Sequence, residues 1–112
     1  MDIVENAEKV TRYTNGLNEQ SLMADDKTRD AVERCLQRIS EAAIRLGEED
    51  AGRLAPAQPW QDIRGIGNHL RHGYDSLDSG MIWEAVEGCA GLAGDYKRAL
   101  ERLRGDNGKG GP

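Results

Sequence analysis

Ile82, Val86, Cys89, Ala93, Tyr96, Leu100 and Leu103 follow one another at steps of four and three. An α-helix turns once every 3.6 residues, so this spacing lays all of them along one side of one helix. The same stepping occurs in Ile3, Ala7, Val10, Thr14 and Leu17, and again in Val32, Cys35, Leu36, Ile39, Ala43 and Leu46. No stretch alternates apolar and polar residues with the period of two that a half-buried strand needs, and no segment repeats. The chain is therefore predicted to be all-α.

Local signals set the boundaries. Asn15-Gly16 should close the first helix, Asp25 or Asp26 should cap the second, and Gly47 should end it. Residues 47 to 59 hold Gly47, Gly52, Pro56 and Pro59 and read as a loop, with Pro59 suited to opening the next helix. That third helix is expected from about Trp60 to Tyr74 or beyond. A turn over "DSLDSG" follows, with Asp78 as the cap of the last helix. Four main helices, each with one apolar stripe and joined by short connections, predict an antiparallel four-helix bundle. The folded domain is expected to span residues 1–104. The Gly-rich tail "GDNGKGGP", residues 105–112, has nothing to bury and is expected to be disordered.

The 112 residues suffice for one core, but Phe is absent, so Leu, Ile, Val, Ala and a few larger rings must fill it. A formal charge of -5 argues against a strong, sequence-independent grip on nucleic acid, while leaving room for a local cationic site. Cys35 and Cys89 both fall on apolar stripes and read as small buried hydrophobes. The acidic, polar-interrupted start "MDIVENAEKV" is no signal peptide, and no apolar run approaches the ~20 residues of a membrane span. A cytoplasmic protein without a membrane partner is expected.

One stretch departs from this plainness: "GIGNHLRHGYD", residues 65–75. With ~100° per residue, Ile63, Ile66, Leu70, Tyr74 and Leu77 form the core stripe of the third helix, with Tyr74 at its edge. Arg64, Asn68, Arg71, His72 and Asp75 gather on a second face, and His69 lies off its centre. Such a face is either ordinary solvated surface or a site. Gly65, Gly67 and Gly73 each disfavour a helix by about 1 kcal/mol relative to Ala, which points to the close approach of another backbone or a ligand. Asn, Arg and His together supply a neutral hydrogen-bonding group, a fixed positive charge and a group titrating near neutrality. That inventory suits acid–base work on a phosphate ester. His69 and His72 stand at a metal-sharing spacing, but no third His exists and no Cys is near, so neither a metal nor a cofactor is expected.

The segment "WQDIRGIGNHLRHGYDSLDSGMIWEAV", residues 60–86, resembles the signature region of the HepT-like toxins, a branch of the HEPN superfamily. "DDKTRDAVERCLQRISEAAIRLG" is similar to that family's second helix, and the likeness covers about residues 1–104. The family motif is an Arg, a polar residue, a short spacer and His-x-Tyr. Here His72-Gly73-Tyr74 matches its end and Asn68 its polar position, but Gly67 stands where the Arg is usual. Arg71, one turn further on, is one substitute; Arg64 with His69 is another.

The resemblance implies a HEPN-like bundle that pairs as a homodimer, its His-bearing helices meeting at a shared cleft. It implies the toxin of a toxin–antitoxin pair, a metal-independent endoribonuclease acting on RNA such as tRNA. In that analogy His72, Arg71 and Asn68 are catalytic, and Arg64 and His69 bind substrate. The implied antitoxin is a small nucleotidyltransferase that transfers AMP to Tyr74, a residue otherwise read as a core-edge ring. A non-catalytic helical partner and AMPylation target of such an enzyme is the alternative, and a plain helical assembly module a third.

Overall fold

A computed structural model of the chain describes residues 1–72 and 79–109, with the side chains of residues 71, 72 and 106–109 outside the description. It contains α1 (Asp2–Tyr13), α2 (Glu19–Ala24), α3 (Asp26–Leu46), α4 (Glu48–Leu54), α5 (Trp60–His72) and α6 (Ser79–Lys109). The described residues include no strand, so the protein is all-α. None of these helices is long and apolar enough to cross a membrane.

The apolar stripes become the core. Ile3, Ala7 and Val10 of α1 meet Val32, Cys35, Leu36, Ile39 and Ala43 of α3, together with Ile82, Val86, Cys89, Ala93 and Tyr96 of α6. Tyr96, 1% exposed, heads the fully buried side chains by volume and supplies bulk that a Phe would give elsewhere. Leu103 departs from the reading. It is 48% exposed, because α6 outruns the helices that cover its earlier turns.

Polar contacts fix the helix directions. Arg45, near the end of α3, pairs with Asp2 at the start of α1 at 2.9 Å. Ser40 Oγ donates to the Arg64 carbonyl and Trp60 Nε1 to the Ala43 carbonyl, each at 2.8 Å, so later residues of α5 meet earlier residues of α3. Lys97 of α6 reaches Glu8 of α1 at 3.1 Å. Leu36 lies near Ile82, while Leu46 lies near Ala99 and Leu103, so α3 and α6 run the same way. The result is an up-down-up-down bundle of α1, α3, α5 and α6. The closest packing joins α1 to α3 and α6, and α3 to α5.

The two short helices correct the expected connectors. Residues 19–24 form α2 because Asn18 caps it: its side chain accepts from Ser21 N at 2.8 Å and Ser21 Oγ accepts from Asn18 N at 2.9 Å. Leu22, fully buried, then anchors α2 to the core. Half of the expected loop at 47–59 is α4. Gly47, at φ +88°, ends α3 as foreseen, but Glu48, Glu49 and Asp50 then favour the positive end of a new helix and Ala51 is buried beneath it. Pro59 stands just before α5, which begins at Trp60 as expected, and its carbonyl accepts from Ile63 N at 3.1 Å. At the other end, α6 continues to Lys109 where a structureless tail was foreseen, since extending an existing helix requires no new nucleus. The expected turn with its Asp78 cap, and Tyr74 and Leu77 of the third stripe, lie outside the described residues.

Asp25 rather than Asp26 caps α3. Its carboxylate accepts from Thr28 Oγ1 at 2.7 Å and Thr28 N at 3.1 Å, and these bonds hold its carboxyl below the usual aspartate range. A depressed folded-state pKa gives stability that is present above the unfolded value and lost as pH falls through the folded one. Asp25→Ala should therefore lower the thermal midpoint near neutrality and flatten its decline in acid. An unchanged acid branch would remove this capping role. Leu22→Ala should cost about 2–5 kcal/mol in urea unfolding; a midpoint like that of the wild type would mean that α2 does not dock.

Candidate functional site

α5 presents two different sides. Arg64 and Asn68 are exposed along one of them, separated by about 160° from Ile66 at 100° per residue. The guanidinium of Arg64 lies over the Trp60 ring, 5.9 Å from its centroid. That ring is fixed by its own hydrogen bond to Ala43, and the backbone of Arg64 by the one from Ser40, a fully buried side chain. Arg64 is thus held at both ends, and among the described residues it has no carboxylate partner. A fixed, unneutralised guanidinium on an exposed face is equipped to bind a phosphate oxygen.

The other side of α5 borders a groove. Asp62, Gly65, Ile66 and His69 form one wall, Met81, Glu84, Ala85, Gly88 and Leu92 of α6 the other, and Leu36 and Ile39 of α3 the floor, around a cavity of about 730 Å³. Gln58 Nε2 donates to Asp95 across one end at 2.7 Å. That bond, helped by Arg98, holds the Asp95 carboxyl below its usual range. No pair of α5 and α6 packs closely among the described residues, so this seam of the bundle is open.

The structure therefore divides the expected site residues. Arg64 and Asn68 share an exposed face. His69 lies on the groove side, away from them, in line with its off-centre position in the sequence reading. Arg71 and His72 are the last two residues of α5, with His72 one turn after Asn68; their side chains lie outside the described residues, as does Tyr74 altogether. Gly67 is buried, so the place usual for the motif Arg carries no side chain. Gly65 modifies the argument for close approach, since a Cβ built there meets nothing of this chain within 4 Å. Among the described residues no three His, Cys, Asp or Glu side chains gather as metal ligands would.

Two elements escaped the sequence reading. Trp60 as the seat of Arg64 was recoverable from the i,i+4 spacing of an aromatic and a guanidinium. The groove was not, because periodicity assigns residues to faces without saying which faces meet.

Cys89 lies at the groove, yet it is 1% exposed and its Sγ donates to the Ala85 carbonyl at 3.2 Å. Burial, with a smaller contribution from Cys35, pushes its thiol up to about 12. The thiolate is the reactive form, so this buried thiol is poorly reactive at mildly alkaline pH.

Comparison with known proteins places these features in a family context. The family model described as "Ribonuclease HepT-like" matches residues 3–102. A protein of Thermococcus cleftensis named "Probable ribonuclease HepT" is 31% identical over 98 residues, 87% of this chain and 88% of that protein. One of Methanocaldococcus jannaschii named "Putative RNase MJ0127" is 32% identical over 85 residues, 76% of this chain and 69% of its own length. No solved structure matches.

The native protein should resist an aromatic disulfide reagent and release two thiol equivalents only in denaturant. Rapid labelling of Cys89 in the folded state would contradict the burial described above.

Proposed function

Because this chain belongs to the ribonuclease HepT-like family, we propose that it is the toxin of a toxin–antitoxin pair, a metal-independent endoribonuclease that acts as a homodimer. The reading rests most on one observation. Arg64 and Asn68 share an exposed face of α5, each about 160° from Ile66 of the groove, and Arg71 and His72 follow in register, with His72 on the edge of that face nearer Gly65 and His69.

In this mechanism His72 takes the proton from a ribose 2′-OH as its oxygen attacks the adjacent phosphorus. The bond to the 5′-oxygen breaks, and that oxygen receives a proton from imidazolium, leaving a cyclic phosphate and a 5′-hydroxyl. A base and an acid are both needed, and pairing of two protomers would supply one His72 for each task. Arg71 stabilises charge on the phosphoryl oxygens. Asn68 orients His72 or the phosphate. Arg64, two turns or about 12 Å before His72 along the helix, holds a phosphate further along the strand. His69 touches RNA from the margin of this face. Two chains side by side concentrate the cationic groups of both faces in one cleft, a local field that the net charge of -5 per chain does not describe. Transfer RNA is the proposed substrate class, and the cytoplasm the proposed compartment.

Gly67 favours a second reading. With no guanidinium at the motif position, the protein is instead a non-catalytic helical partner of a small nucleotidyltransferase. There Tyr74 is modified as its hydroxyl oxygen attacks the α-phosphorus of ATP and pyrophosphate leaves.

Purified protein incubated with tRNA and EDTA tests both. Cleavage should occur, fall by about 10²–10⁴-fold in His72→Ala, and fall far less in His69→Ala. A dead His69→Ala beside an active His72→Ala would transfer the role to His69. An inert wild type that gains an AMP on Tyr74 when the partner enzyme and ATP are added would establish the second reading.

A further inference from the structure

The groove between α5 and α6 shares only His69 with the RNA mechanism proposed above, and its construction points to a different ligand. Its floor and walls are apolar: Leu36, Ile39, Ile66, Ala85 and Leu92 all border it. Gly65 and Gly88 face it from the two walls, and a Cβ built on either meets nothing within 4 Å. Glycine inside a helix is unfavourable against Ala, so both walls carry a costly residue beside space that the described residues leave unfilled. Met81, 38% exposed, continues the apolar surface at one end. A trough between two helices, lined by small residues, lets a third helix approach closely.

Charge narrows the choice of occupant. Asp62 and Glu84 stand exposed on the two rims, with Asp95 at one end already held by Gln58 and Arg98, and among the described residues His69 is the single basic group of the lining. RNA is repelled by such a rim. A twofold contact of the groove with its own copy sets Asp62 and Glu84 against like charges. A cationic helix meets neither obstacle.

We propose that the α5–α6 groove docks one amphipathic helix of a partner protein, with a narrow apolar stripe at i, i+4 and i+7 flanked by Lys and Arg. The wall from Gln58 to His69 accommodates about twelve helical residues, or ~18 Å. This assignment does not rest on the nuclease reading, since apart from His69 no residue of the groove wall has a part in it.

The test uses the full chain and two fluorescent, helix-stabilised peptides that share a leucine stripe, one flanked by lysines and the other by glutamates. Fluorescence anisotropy should show saturable binding of the lysine peptide, and none of the glutamate peptide. Gly88→Leu, which fills the groove, and the rim variant Asp62→Lys/Glu84→Lys should each weaken binding at least about tenfold. Circular dichroism and thermal midpoint report whether each variant folds, and the exposed rim variant carries the test should Gly88→Leu alter the fold. Failure of the lysine peptide to saturate, or binding indifferent to the rim charges, overturns the proposal. So does a sedimentation shift from dimer to monomer in Gly88→Leu, which would make the groove a contact between copies of this chain.

Discussion

The seat of α5 on α3 governs the rest of the structure. Ser40 and Trp60 each make one hydrogen bond across that interface, from buried or half-buried positions, to a backbone carbonyl. A buried hydroxyl or indole N–H left unpaired costs more than the bond itself contributes, so these contacts fix the register of the two helices. Once the register is fixed, so is the direction of every other side chain on α5. The guanidinium of Arg64 is aimed outward because its own carbonyl is tied inward.

That single attachment gives one helix two electrostatic characters. On one side an arginine and an asparagine stand in the open, followed in register by Arg71 and His72. On the other, carboxylates rim an apolar trough. Across the width of a helix, water and counterions screen these charges only partly. The two sides of α5 thus differ in charge. The net charge of the whole chain says little about either.

Much of this was legible in the sequence, for definite reasons. The stripes of α1, α3 and α6 are regular because each buries one side, and burial imposes the period of 3.6. Gly47 and Asp25 announced their roles because a positive φ and an N-cap admit few residue types. The short helices α2 and α4 were obscured. The Asn18–Ser21 capping box lacks the usual Glu or Gln, and α4 sits in a segment whose glycines and prolines mimic a loop. The face bearing Arg64 and Asn68, and the position of His69 off its centre, followed from angles alone. The open seam between α5 and α6 did not, because it depends on what fails to pack.

The uneven distribution of contacts has an energetic corollary. α1, α3 and α6 bury one another, whereas α5 leans chiefly on α3, with Ile66 and Leu70 half-buried and Ile63 alone among its large apolar residues fully so. Cooperative opening is cheapest where the least apolar surface is exposed by it. Among the four long helices, detachment of α5 from an otherwise intact three-helix remainder is thus the partial unfolding that exposes the least apolar surface. The amides of α5 would accordingly exchange with solvent before those of α1, α3 and α6 in the core.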